Sequence, residues 1–230
     1  MLVLALDTTT RVGSCALSRD GSVLQERGSD PERSHAEHLP GDLMALVDAA
    51  QVTLDQIDVF AVATGPGSFT GLRIGIATMQ GLAFATGKPL VGISGLDALA
   101  QIGFRERPDA TVAAWVDAWR GEVYAALYAG GEEIEPPSVE HPALVLARLG
   151  ERNPVVFIGD GAVSFTGLID ETLGDRAVIA TSPTPLLAGV VAQLAHTVIM
   201  SGERPSADAI RPLYVRRMDA ELARDARSRA

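Results

Sequence analysis

Thr64-Gly65-Pro66-Gly67-Ser68-Phe69-Thr70-Gly71-Leu72-Arg73-Ile74-Gly75 is the stretch that decides the fold. A short apolar run, Val59 to Ala63, leads into it and reads as a buried strand, and a mostly apolar helical stretch, Leu72 to Ala85, follows. The motif is therefore a strand, a glycine-rich turn and a helix start. Gly65 and Gly67 admit backbone angles closed to other residues, Pro66 stiffens the turn, and Ser68 or Thr70 can cap the helix. Such a turn suits an anion, because free N–H groups and the helix dipole point at it. No phosphate signature is complete, however: Leu72 stands where a P-loop needs Lys, and Thr70 where the dinucleotide pattern needs Gly. A tight structural turn is the stronger reading.

The helix after the turn has few polar residues, Arg73, Thr78 and Gln80, while Leu72, Ile74, Ile76, Met79, Leu82 and Phe84 surround its axis. A helix apolar on all sides is buried in a core or an interface. Gly71 and Gly75 stand four apart, a spacing that lets another backbone approach.

Outward from this motif the elements repeat. Leu2 to Leu6, Val12 to Ser18 and Ser22 to Arg27 read as strands, the last two joined by an Asp20-Gly21 hairpin turn. Ser34 and Glu37 make a capping box for a helix with Leu39, Leu43, Leu46 and Val47 on one face, and Pro40 is a point for a kink. Then come strand 59–63, helix 71–86, strand 90–93 and helix 95–102, with 104–110 read as a linker. The same order follows: strands 111–116, 122–128 and 132–135, helix 142–149, strand 155–158, helix 162–173, strand 177–180 and helix 185–200. Two α/β halves in tandem predict the duplicated ribonuclease-H-like fold of sugar kinases, actin and the Hsp70 ATPase, with subdomains 1–103 and 104–205 and a tail, 206–230, packing back as a helix. The arginines of that tail, Arg211, Arg216, Arg217, Arg224, Arg227 and Arg229, stand beside acids and read as a solvated amphipathic face.

Composition narrows the function. A formal charge of −10 argues against this chain alone as the main nucleic-acid surface. Cys15 is the single cysteine, so there is no disulfide framework or cysteine metal site. No basic start with a long apolar segment suggests a signal peptide, and no run is long enough to span a bilayer, which makes the cytoplasm the default.

In the duplicated fold a ligand sits between the halves. Asp7, Thr8 and Thr9 end the first strand, and Asp117 ends its counterpart; Gly159 and Gly161 follow a later strand. These are the candidate nucleotide-cleft residues. Thr9 stands where a phosphate-approaching Gly is usual, and Trp119 fills the matching place in the second half, so both cradles look damaged; Asp7 and Asp117 read best as loop caps, with a catalytic pair across the cleft as the alternative. His35 and His38 have possible metal spacing without a third ligand; His141 and His196 are isolated. No metal, cofactor or catalytic residue is expected.

Taken together, Asp7-Thr8-Thr9, Ser34-His35-Ala36-Glu37, the run 65–75, Asp117-Ala118 with Gly121-Glu122-Val123-Tyr124, Gly159-Asp160-Gly161 and Pro212-Leu213-Tyr214-Val215-Arg216 resemble the bacterial TsaB (YeaZ) family over nearly the whole chain. The resemblance implies a non-catalytic scaffold in making N6-threonylcarbamoyladenosine beside the tRNA anticodon. Its implied partners are a TsaD-like catalytic paralogue, a TsaE-like ATPase, and tRNA only through the complex. The paralogue's His-x-x-x-His pair is absent here, and Trp119 departs from an Arg more usual in the family. The competing readings are a stand-alone ATPase or kinase of the same fold and, with less support, a metallopeptidase. Docking is expected on helices 35–50 and 71–86, through Leu39, Leu43, Leu46, Gly71, Ile74, Gly75, Ile76 and Met79, with a homodimer through the same patch when the chain is alone. On that expectation Ile76→Arg leaves the fold intact and abolishes binding; if Ile76 faces the sheet instead, Met79→Arg or Ile74→Arg is the informative change.

Overall fold

The computed structural model describes residues 1–10, 12–28 and 35–215, with the backbone alone for 35–38 and 40. The expected Ser34–Glu37 capping box, the His35 and His38 side chains and the arginines beyond 215 lie outside the described residues. Pro40 sits in a helix that continues through it.

The first sheet has the order β3-β2-β1-β4-β5, built from β1 (Leu2–Asp7), β2 (Ser14–Arg19), β3 (Ser22–Gly28), β4 (Val59–Ala63) and β5 (Leu90–Ile93). The second has β8-β7-β6-β9-β10, from β6 (Thr111–Asp117), β7 (Val123–Ala129), β8 (Glu132–Glu140), β9 (Val155–Ile158) and β10 (Ala177–Ile179). The two orders superpose strand for strand in chain sequence. In each, the central strand pairs antiparallel with the next strand and parallel with the fourth. The duplication expected from the order of elements is thus present in the pairing itself.

Every residue of β1 is buried, so both faces of the sheet are covered. The period-two alternation sorts them. Leu2, Leu4 and Leu6 join an outer core with residues of α1 (His35–Ala49) and α2 (Phe69–Thr86). Val3 and Ala5 join a central core shared by both sheets. That central core is filled by α3 (Gly95–Glu106) and α7 (Ala188–Met200), which are in contact and bring small residues such as Ala98, Ala188, Ala192 and Ala195 into it. The two helices are exchanged between halves: α3 packs on β6, β7 and β9, and α7 on all of β1 to β5. The start of α7 is held by the first sheet, because Ser14 Oγ accepts from Leu187 N and Ala188 N at 3.3 and 3.0 Å and Glu26 Oε1 from Gly189 N at 2.7 Å. On the far side of the second sheet lie α4 (Pro142–Arg148), α5 (Asp160–Ser164) and α6 (Thr166–Leu173).

Several expected bounds change for physical reasons. The first hairpin's leading strand begins at Ser14, not Val12. Residues 104–106 are the last turn of α3, so the connection is 107–110. β8 runs to Glu140 through Pro136 and Pro137, which an edge strand tolerates because it pairs on one side only, here with β7. The expected helix 162–173 is broken at Phe165, whose backbone leaves helical angles (φ −117°, ψ 20°) while its ring packs against the outer core of the second half. α7 begins at Ala188 rather than 185. Within 206–215 the tail is not a helix beyond one 3-10 turn, Ala207–Ala209.

Candidate docking face and the glycine-rich turn

Ser68 caps α2, its Oγ accepting from Gly71 N at 3.3 Å, so the helix starts at Phe69, inside the motif. The space that an anion would need above the turn is filled by the chain's own loop after β1. A Cβ at Gly67 would lie 2.3 Å from Thr9 O, and one at Gly75 2.2 Å from Thr8 Oγ1. Thr8 Oγ1 donates to Gly71 O at 2.8 Å. Asp7, fully buried, organises that loop: its Oδ1 accepts from Thr9 N (2.8 Å) and Thr9 Oγ1 (2.6 Å), and its Oδ2 from Thr10 Oγ1 (2.8 Å). Asp7, Thr8 and Thr9 are therefore brought together with Gly67, Gly71 and Gly75 as one packed unit. Gly67 and Gly75 serve an approach made within this chain, which corrects the expectation that Gly75 receives a partner's backbone, while the buried Gly71 accepts from Thr8 through its carbonyl.

The second half repeats the loop-capping pattern. Asp117 Oδ1 accepts from Trp119 N at 2.7 Å, as Asp7 does from Thr9 N. Asp160 Oδ1 accepts from Asp117 N at 2.9 Å, and burial pushes the Asp160 carboxyl up from its ordinary value. Gly159 and Gly161 lie against the β6 backbone; a Cβ on them would meet Trp115 O at 1.9 Å and Val116 C at 3.0 Å. Trp119 projects outward, 73% exposed, on a backbone with φ +61°.

Burial on α1 and α2 separates two faces. Leu39, Leu43, Leu46, Ile76 and Met79 are all within the first sheet's outer core, at most 4% exposed, so none of them can meet a partner. Of the expected docking residues, only Ile74 reaches the surface, half-buried. The outward face of α2 is instead Arg73, Ile74, Ala77, Gly81 and Phe84, with Met44 exposed on the neighbouring α1. Phe84 is 90% exposed, and nothing lies within 4 Å of a Cβ on Gly81. Phe84 also lines an open groove of about 1020 Å³ at the C-terminal end of α2, with Lys88, Ile199 and Arg204. A phase count from Leu72 and the buried Ile76, Met79 and Ala83, each three or four residues on, would have found this outer face.

A second feature was not legible. Residues 205–214 run back along α2 as a strap. Gln80 Nε2 donates to Ala207 O and Ile210 O at 2.7 and 3.2 Å, and Leu213 N donates to Thr64 O at 2.7 Å. Tyr214 stacks on Phe69 with ring centroids 5.5 Å apart, and Arg73 Nε donates to Tyr214 Oη at 3.0 Å.

Comparison with known proteins fits this architecture. Residues 19–223 match the family described as "TsaD: tRNA N6-adenosine threonylcarbamoyltransferase". The chain is 32% identical to the tRNA threonylcarbamoyladenosine biosynthesis protein TsaB of Escherichia coli, over 94% of this chain and 95% of that protein. The chain belongs to the TsaB (YeaZ) family. A crystal structure from Pseudomonas aeruginosa, of an uncharacterized protein with similarity to peptidase YeaZ, resembles this TsaB-family chain with a TM-score of 0.78 at 33% identity, covering 94% of this chain and 99% of the other. At 7% identity and a TM-score of 0.50, a Bacteroides thetaiotaomicron protein with an actin-like ATPase fold covers 86% of this chain and 95% of its own, a likeness of fold alone. The fold is thus the duplicated two-subdomain type of actin and the sugar kinases. No helix among the described residues is long and apolar enough to cross a membrane.

Proposed function

We propose that this TsaB-family chain is a non-catalytic cytoplasmic scaffold in the transfer of threonylcarbamoyl to N6 of the tRNA adenosine beside the anticodon. It docks on a TsaD-like catalytic paralogue, with a TsaE-like ATPase joining and tRNA held only through the complex. Alone, it pairs with itself through the same patch. The names of its relatives support the pathway. The observation that carries the docking role is the outward face of α2, where Ile74, Ala77, Gly81 and the 90% exposed Phe84 form an apolar stripe beside Met44 of α1. Apolar patches of this kind mark interaction sites, and the small residues at 77 and 81 allow another helix to come close. The absence of catalysis is supported by Asp7, whose two oxygens are occupied by its own loop, and by Gly67, whose open side is taken by Thr9.

The test is Ala77→Arg, on the surface and clear of the core. A guanidinium desolvated there without a counter-charge is expected to weaken binding to the purified paralogue about a hundredfold, roughly 2.7 kcal/mol, and to abolish tRNA threonylcarbamoylation in cells relying on the variant. Parent-like binding would remove this face from the interface. For the purified chain we expect phosphate release from ATP at the level of a protein-free blank. Turnover that co-purifies with the chain and is lost in Asp7→Asn would favour the ATPase reading.

A further inference from the structure

From Val59 to Leu96 the chain carries no acidic residue, in a protein whose formal charge is −10. α2 lies in that stretch, and Arg73 is the cation on its outward face. The guanidinium is held on two sides. Its carbon lies 3.9 Å from the centroid of the Phe69 ring, and its Nε donates to Tyr214 Oη at 3.0 Å. Tyr214 is itself fixed, stacked on Phe69 and tied down by the Leu213 N to Thr64 O bond of 2.7 Å. Among the described residues no carboxylate pairs with Arg73, and its two terminal amino groups have no partner.

A partner that covers Ile74, Ala77 and Gly81 also takes this guanidinium out of water. An unpaired buried charge opposes association strongly, so the interface must supply an anion there. The free side of the guanidinium offers two parallel N–H donors, the geometry that a carboxylate accepts as a planar fork. The Phe69 and Tyr214 contacts fix that fork before binding, which lowers the ordering cost.

We propose that Arg73 is the anchor for a carboxylate, an Asp or Glu side chain on the docking protein, and that Phe69 and Tyr214 are positioning residues that hold it ready. The inference rests on the docking reading above and adds the chemistry that the partner presents. It also gives the strap 205–214 a purpose, since the strap delivers Tyr214 to the helix.

The experiment measures affinity between the full chain and its purified TsaD-like paralogue, without tRNA or nucleotide, at low and high salt. The variants are Arg73→Gln, Arg73→Lys, Tyr214→Phe and Ala77→Arg, each with its melting temperature. Arg73→Gln is expected to weaken binding about 30-fold and to flatten its salt dependence. Arg73→Lys restores the salt dependence without the full affinity, because a point charge replaces the fork. Tyr214→Phe keeps the stacked ring, loses about threefold in affinity and keeps the salt dependence. Melting temperatures stay at the parent value. If Ala77→Arg abolishes binding while Arg73→Gln binds like the parent, the face stands and the anchor is overturned. Parent-like binding by Ala77→Arg overturns the face, and the inference with it. A loss in Arg73→Gln that is equal at all salt concentrations reports lost packing and overturns the charge pair. If Arg73→Gln abolishes self-association alone, the carboxylate belongs to a second copy and the proposal falls.

Discussion

Met79→Arg is expected to abolish folding. Met79 is fully buried in the outer core of the first sheet, which also holds Leu4, Leu6, Leu46 and Val62. Arg there either carries an unpaired charge into an apolar interior or forces α2 off the sheet. The first costs several kcal/mol, and a domain of this size is stable by only about 5–15 kcal/mol. Ile76→Arg, at 4% exposure in the same core, is expected to behave alike. Ala77→Arg, the next residue along, should fold like the parent and change stability by no more than about 0.5 kcal/mol. Denaturant titration followed by circular dichroism separates these. The expected result is no cooperative transition for the two core variants and a parent-like midpoint for Ala77→Arg. A parent-like midpoint for Met79→Arg would mean that α2 presents a different face to the sheet. It follows that Ile76→Arg, chosen from sequence as an interface probe, reports on the core instead.

The reason for that mismatch lies in what a sequence pattern can carry. The order of strands and helices was legible because each follows from local periodicity, and the duplicated order sufficed to name the fold. The loop caps were legible too, since an Asp followed by a tight turn hydrogen-bonds forward, as Asp7 and Asp117 both do. The phase of α2 was harder to see, because apolar residues surround its axis and no charge marks the outer side except Arg73. What sets that phase is remote: Thr8 closing on Gly71 and Gly75, and the strap bonding Gln80 from residues more than a hundred positions away. The strap was read as a helix from its charged composition, whereas its position is fixed by its own backbone, bonded to the Thr64 carbonyl and the Gln80 side chain, contacts that have no sequence signature. The start of α7 is likewise set by Ser14 and Glu26 of the other half.

The glycines after β9 show how a motif with a functional look can have a structural cause. Gly159 has φ +112° and ψ 165°, a region essentially closed to residues with a Cβ, and a Cβ there would stand 1.9 Å from Trp115 O on the neighbouring strand. Relief would require β6 and β9 to separate at Ala114–Ile158, their paired C-terminal end, or the Gly159 N to Pro183 O bond of 2.7 Å to break. Gly159→Ala is therefore expected to destabilise the protein by about 4 kcal/mol or more, lowering the melting temperature by about 10 °C. Gly130→Ala is the control: φ is +60° and nothing lies within 4 Å, so only the left-handed penalty of about 1 kcal/mol applies. Calorimetric melting of the two variants measures the difference. If instead Gly159 were kept small to admit a nucleoside, Gly159→Ala would melt near the parent temperature and lose nucleotide affinity. A parent-like melt with that loss would return Gly159 and Gly161 to a ligand cleft. The separation of about 3 kcal/mol expected between the two alanines combines the contact with Trp115 O and the backbone region of Gly159, which is closed to residues with a Cβ, whereas Gly130 sits in the milder left-handed region.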